Sequence, residues 1–178
     1  MEILLMTGSA RKGSNTGKLA RIAERYLKEQ AAVTKVHHFD ARLHKLPLLD
    51  GDSYTYSHPE VIRLRQIAQE VDAFVILSPE YHSGMSGSLK NALDFLSRDQ
   101  FSLKPVVLAV AAGGGKGGVN ALSNLRIVLR GVNALVVPSQ TIVDPRDFLE
   151  TGELIPTLQE RFLLSLQELV EITSKMKR

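Results

Sequence analysis

Residues 73–96 read Ala73-Phe74-Val75-Ile76-Leu77-Ser78-Pro79-Glu80-Tyr81-His82-Ser83-Gly84-Met85-Ser86-Gly87-Ser88-Leu89-Lys90-Asn91-Ala92-Leu93-Asp94-Phe95-Leu96. Ala73 to Leu77 is an apolar run without polar alternation, the mark of a strand buried on both faces. From Ser86 the period changes. Leu89, Ala92, Leu93 and Leu96 recur at helical intervals behind a serine N-cap. Between strand and helix the pattern predicts an eight-residue loop, Ser78 to Met85, with one aromatic ring, a proline and small residues. In open α/β sheets ligands bind at the carboxyl ends of strands. Free backbone N–H groups and little side-chain bulk suit the edge and face of a flat, polar heterocycle.

The same strand-then-helix alternation runs outward in both directions. Before this stretch, Glu2 to Met6 and Val33 to Phe39 read as strands, and Thr16 to Gln30 and Glu60 to Val71 as helices. After it, Pro105 to Ala112 and Ala134 to Val137 read as strands, Val119 to Arg130 and Thr157 to Thr173 as helices. Ala41 to Pro59 is irregular. Five such alternations predict an α/β fold: a doubly wound, five-stranded parallel sheet with right-handed crossovers and helices on both faces. The expected strand order is the flavodoxin-like 2-1-3-4-5. No linker, repeat or composition shift marks a boundary, so residues 1–178 are expected to form one domain.

Composition narrows the function classes. At 178 residues with 44% hydrophobic content the chain has the make-up of a globular protein, and no run of 18 apolar residues suggests a membrane span. The opening Met1-Glu2-Ile3-Leu4-Leu5 reads as a strand rather than a signal peptide, so a cytoplasmic protein is expected. With no cysteine there is no disulfide, thiol nucleophile, thiolate zinc site or iron–sulfur cluster. A net charge of +3 is too small to argue for nucleic acid, though it favours anionic small molecules.

The loops after strands 1, 3 and 4 share one sheet edge in this topology, and each is unusual. The first, Thr7-Gly8-Ser9-Ala10-Arg11-Lys12-Gly13-Ser14-Asn15-Thr16, combines glycines, hydroxyls and two cations at a helix N-terminus, the make-up of an anion site. The alternative is a cluster of capping residues with solvated cations. Residues 13–18 resemble a nucleotide P-loop, but the glycines are four apart and Leu19 follows the lysine where Ser or Thr should stand. Gly113-Gly114-Gly115-Lys116-Gly117-Gly118 satisfies G-x-G-x-x-G, yet it follows the fourth strand and lacks the acidic residue about 20 positions later. It reads instead as a backbone wall that a planar ligand can approach closely. Glu80 reads first as a carboxylate bonded to nearby backbone N–H groups, with a general base as the alternative. His82 either bonds a ligand or sits on the surface. His37-His38 lacks the acidic neighbours of a metal site, and Lys90 and Asp94 are spaced to pair on a helix.

At these residues the chain resembles the NADPH-dependent FMN reductase family of flavodoxin-like enzymes, along nearly its whole length. The anchors are Gly8-Ser9-x-Arg11-x-x-Ser14-Asn15, then Ser78-Pro79-Glu80-Tyr81 with Gly87-x-Leu89-Lys90-Asn91-Ala92-Leu93-Asp94, then residues 113–118. The middle anchor with the glycine run looks most like the FMN-containing NAD(P)H azoreductases of the family. His82 departs from the pattern, standing where most members carry asparagine.

The resemblance implies roles. Ser9, Arg11, Ser14, Asn15 and Thr16 would hold the FMN phosphate. Pro79, Glu80, Tyr81, His82, Ser83 and Gly84 would border the isoalloxazine, mainly through backbone. Gly113, Gly114, Gly115, Lys116, Gly117 and Gly118 would flank its other side. Hydride would pass from NADPH or NADH to FMN and then to azo compounds, quinones or free flavin, in ping-pong order, with no catalytic side chain and no metal. A homo-oligomer, dimer or tetramer, is implied. The rivals are a quinone or chromate reductase of the same fold, a flavodoxin-like electron carrier without turnover, and an FMN-binding structural or regulatory protein. Such carriers are strongly acidic, and this chain is mildly basic.

Overall fold

The computed structural model describes residues 1–115 and 117–177. The order is β1 (Glu2–Thr7), α1 (Asn15–Glu29), β2 (Lys35–Asp40), α2 (Ser53–Tyr56), α3 (Pro59–Glu70), β3 (Ala73–Tyr81), β4 (Gly84–Met85), α4 (Gly87–Asp94), α5 (Arg98–Phe101), β5 (Pro105–Ala111), α6 (Val119–Gly131), β6 (Leu135–Val143), a 3-10 turn (Pro145–Asp147) and α7 (Pro156–Met176). Five strands run parallel in the order β2-β1-β3-β5-β6, the doubly wound order expected. The sixth strand, β4, is a two-residue addition paired antiparallel to β3.

The strands alternate between two cores. Leu4, Met6, Phe74, Ile76, Val106, Leu108 and Val110 face α3, α4 and α6, meeting Leu64, Leu89, Leu93, Leu125 and Leu129. Ile3, Leu5, Val75, Leu77, Val107 and Ala109 face α1 and α7, meeting Leu19, Ile22, Leu27, Phe162, Leu166 and Leu169. Burial of each such large side chain contributes about 1.5–3 kcal/mol, which fixes the strand register and hence the edge where the loops gather.

Two strands run past their expected ends. β3 was expected to stop at Leu77, but it pairs with β5 as far as Pro79 and reaches Tyr81. β1 has already ended at that level, with Thr7 opposite Leu77, so β3 is an edge there and tolerates proline. β6 was expected to stop at Val137. Its ladder skips from Val136–Val106 to Gln140–Leu108, leaving a bulge over residues 137–139 with Pro138 in it, and then resumes to Val143. The region expected to be irregular, 41–59, carries the short helix α2. Asn91 on α4 holds this segment: its Oδ1 accepts from Leu49 N–H at 3.0 Å and its Nδ2 donates to Pro47 C=O at 2.8 Å. Lys90 and Asp94 pair at 2.6 Å.

Candidate active site

The loop after β1 is held from below. Gly8 N–H donates to Leu77 C=O at 2.8 Å. The Ser86 hydroxyl donates to Gly8 C=O at 2.5 Å and, as the N-cap of α4, accepts from Leu89 N–H at 3.2 Å. A Cβ on Gly8 would stand 2.8 Å from Leu89 Cβ, so this close approach requires glycine. Above that anchor Ser9 is buried and its hydroxyl accepts from Arg11 N–H at 3.4 Å. Ser14 caps α1, accepting from Gly17 N–H at 3.0 Å.

The N-terminus of α1 is left electrostatically open. No acidic residue stands in its first turn. The N–H groups of Asn15 and Thr16 have no acceptor among the described residues, and the exposed Arg11 guanidinium has no carboxylate partner among them. Unpaired first-turn donors, the helix dipole and a guanidinium together favour an anion.

The N-terminus of α6 is the opposite case. Its N-cap is Gly118, which offers no side chain, and the carboxylate of Glu80 reaches across from β3 to accept from Ala121 N–H at 3.0 Å. Glu80 is thus occupied by a backbone N–H, as a helix cap, but that of a helix 41 residues on and not of its own turn as expected.

The segment 78–85 is not the open eight-residue loop expected from the sequence. It is a hairpin in which Glu80 pairs with Met85 and Tyr81 with Gly84. The two turn residues, His82 and Ser83, both take positive φ, 49° and 63°. That is the two-residue type I′ geometry, which favours Asn-Gly and needs no long loop. A run without Gly at the turn centre hides this signal, so the sequence reads as a loop.

One cleft of about 310 Å³ gathers the β1–α1 loop and the ends of β3, β5 and β6. Ser9, Arg11, Gly13, Ser14, Asn15 and Thr16 form one wall, Pro79, Glu80 and Tyr81 another, and Ala111, Ala112 and Gly113 a third. Pro145 closes the far side. Ala111, Ala112 and Pro145 were missed in sequence; the two alanines at the end of β5, just before the glycines, were the available signal. His82, Ser83 and Gly84 lie at and beyond the hairpin tip, outside the cleft lining, as do Gly114, Gly115, Gly117 and Gly118. Lys116 lies outside the described residues. Gly118 has a packing role instead: a Cβ there would stand 2.3 Å from Val110 Cγ1. At Gly113 and Gly114 a Cβ would meet nothing within 4 Å among the described residues.

Comparison with known proteins agrees with this geometry. Residues 1–147 match the family model for NADPH-dependent FMN reductase. The chain is 37% identical over 154 residues to the NADPH azoreductase of Bacillus sp. (strain OY1-2), spanning 86% of this chain and 82% of that one. It is 34% identical over 157 residues to the FMN-dependent NADPH-azoreductase of Staphylococcus saprophyticus, spanning 83% and 79%. Among solved structures, the flavoenzyme NAD(P)H:(acceptor) oxidoreductase FerB of Paracoccus denitrificans superimposes with a TM-score of 0.78 at 22% identity, over 98% of this chain and 97% of that one, which speaks to the fold.

Proposed function

The chain belongs to the NADPH-dependent FMN reductase family, and from that premise we propose that it is an FMN-dependent NAD(P)H oxidoreductase reducing azo compounds, quinones or free flavin. The observation that carries the site assignment is the contrast between the two helix N-termini at the sheet edge. α6 is closed by Glu80, whereas α1 has no carboxylate in its first turn and opens into the cleft beside Arg11.

The residues present fit FMN. Asn15 and Thr16 N–H, the hydroxyls of Ser9 and Ser14, and Arg11 would hold a phosphate. Pro79, Glu80 and Tyr81 on one side and Ala111, Ala112 and Gly113 on the other would border a planar ring. Tyr81, 39% exposed, lines the cleft and would limit approach to flat molecules. Bound FMN supplies the chemistry, two-electron transfer between a nicotinamide and an acceptor. The protein's residues orient the ring and offer backbone donors to the charge that develops at its edge; no side chain needs to move a proton. The 310 Å³ cleft is at the low end of the roughly 300–1,000 Å³ of small-molecule sites, so it would leave room for one further flat molecule at a time rather than a second enclosed site. Donor and acceptor would enter this one cleft in turn, giving parallel double-reciprocal lines.

The chain is proposed to act as one domain in a cytoplasmic homo-oligomer. Among the described residues no helix is long and apolar enough to cross a membrane. The segment after β2, anchored at Pro47 and Leu49 by Asn91, exposes Leu43, Leu48 and Tyr54, at 64%, 78% and 66%, apolar side chains that a second copy would cover. The outer side of α4 is polar, with Ser88 and the Lys90–Asp94 pair, so the loop rather than the helix supplies the apolar contact.

The test is release of the cofactor by heat followed by chromatography. FMN is the expected product; FAD, or no flavin after incubation with FMN, overturns the reading. Arg11→Ala should then weaken FMN binding by about 1.5–3 kcal/mol, the worth of a hydrogen bond to a charged group, measured by quenching of flavin fluorescence.

A further inference from the structure

Two buried serines join the walls of the cleft from beneath. Ser78 in β3 and Ser86 at the start of α4 are 0% and 2% exposed, and neither lines the cleft. Ser86 N–H donates to Ser78 Oγ at 3.3 Å, and Ser78 Oγ donates to Pro79 C=O at 2.8 Å. Ser86 Oγ donates to Gly8 C=O at 2.5 Å. Gly8 N–H returns to β3 through Leu77 C=O at 2.8 Å. These bonds close a circuit through Leu77, Gly8, Ser86, Ser78 and Pro79.

A serine hydroxyl has one hydrogen to donate. As the cap of α4, Ser86 needs only its oxygen, which accepts from Leu89 N–H at 3.2 Å. The hydrogen given to Gly8 is therefore additional to the cap, and it ties the β1–α1 loop to the β3–α4 connection. The two walls of the cleft begin at the ends of this circuit. Ser9, next after Gly8, opens the wall assigned to a phosphate, and Pro79 opens the wall assigned to a planar ring. The loop also lies directly against the cap, since a Cβ on Gly8 would stand 3.1 Å from Ser86 Oγ. In so buried a place each broken bond leaves a polar group unsatisfied, so the circuit holds as a unit.

FMN carries its ring and its phosphate at the two ends of one short chain. It can meet both walls at once only if their separation fits that chain. We propose that Ser86, through its bond to Gly8, is a positioning residue that holds the phosphate wall in register with the ring wall, with Ser78 as its link to Pro79. This rests on the FMN reading above and deepens it. The gain in affinity from the phosphate then depends on a buried circuit that touches no ligand, as well as on Arg11 and the start of α1. A serine that only capped α4 would hold the helix and leave the register of the two walls unchanged when its donor is removed.

The experiment compares FMN with riboflavin, which has the same ring and ribityl chain and no phosphate. The full chain, freed of flavin, is titrated with each, and quenching of flavin fluorescence gives the two affinities and their ratio. The parent should prefer FMN. Glycine caps a helix nearly as well as serine, so Ser86→Gly removes the donor to Gly8 and spares α4. In this variant the preference for FMN should fall about fivefold to tenfold, the worth of one hydrogen bond, while riboflavin affinity stays within about twofold. Ser78→Ala breaks the other link and should lower the preference in the same direction. A preference unchanged in Ser86→Gly, including one in which both flavins weaken in equal proportion, overturns the inference. Where Ser86→Gly does not fold, a preference unchanged in Ser78→Ala does so. A parent protein that binds riboflavin as tightly as FMN would instead overturn the phosphate site itself.

Discussion

Glu80 Oε2 accepts from Ala121 N–H at 3.0 Å, tying the β3–β4 hairpin to the start of α6 across 41 residues of chain. The bond joins the wall of the cleft that carries Tyr81 to the helix that follows the glycine run. It also places a carboxylate at the positive end of a helix whose own N-cap, Gly118, offers none. Glu80→Ala should therefore cost about 1–2 kcal/mol of stability, as loss of a helix cap does, and should also weaken FMN binding by loosening two walls together. Glu80→Gln keeps an acceptor and should recover most of both. Urea unfolding and FMN titration of the two variants check this; a glutamine variant as damaged as the alanine one would mean that the charge itself is needed.

The hairpin turn carries its own prediction. His82 and Ser83 hold positive φ without being glycine or asparagine. Ser83→Gly, and to a lesser extent His82→Asn, should stabilise the fold by about 0.5–1 kcal/mol. FMN affinity should not change, because neither residue lines the cleft. Thermal unfolding measures the first effect and fluorescence the second. A large loss of turnover in His82→Asn with FMN still bound would place the imidazole in the reaction.

The glycine run should respond unevenly. Gly118→Ala drives a methyl group into Val110 and should cost about 1–3 kcal/mol as overpacking. Gly114→Ala meets no other described residue within 4 Å and should cost little stability. Denaturation midpoints of the pair decide the point, since equal losses would mean that backbone freedom, not packing, governs the segment.

Acid stability should depend on Asp72. Burial pulls its carboxyl up, but the Lys177 ammonium at 2.7 Å and the Glu2 N–H at 2.8 Å outweigh that and hold it below the ordinary aspartate value. A carboxyl depressed in the folded state contributes stability above its unfolded pKa and loses it as pH falls through the folded one. Asp72→Asn should thus lower stability at pH 7, and the gap to the parent should narrow below about pH 4. Urea midpoints across this range check it; a gap constant with pH would assign the cost to packing.

The exposed apolar side chains of the segment after β2 predict assembly. Sedimentation at micromolar concentration should show at least a dimer, and Leu48→Asp should shift it toward monomer while the fold is kept, because Leu48 is 78% exposed. A parent protein that sediments only as a monomer removes the proposed interface.

Much of the fold was legible because it rests on burial. Short β-branched-rich apolar runs such as Ala73–Leu77 and Val106–Val110 read as strands covered on both faces, and their alternation with helical periods leaves few topologies. The helix caps were legible for the same local reason, Ser86 among them. What escaped was pairing decided by tertiary context. Nothing local to Ser78–Tyr81 says that Ser78 and Pro79 pair with β5 and that Glu80 and Tyr81 pair with β4, and nothing in His82-Ser83 announces a two-residue turn. The bulge at Pro138 likewise hides the second half of β6, since proline normally ends a strand reading. At the site, residues with distinctive chemistry were found, while Ala111, Ala112 and Pro145 contribute only by being small or rigid, which a sequence does not advertise.

The bulge around Pro138 has a further effect on what many copies of this chain can build. β6 forms one margin of the sheet, and there Pro138 offers no N–H while the ladder is broken between Val136 and Gln140. β2 forms the other margin, only six residues long and studded with Lys35, His37 and His38. Short, charged or proline-broken margins do not template another strand. Addition of a strand from another copy is therefore disfavoured at both margins, which leaves contacts between copies to helices and loops.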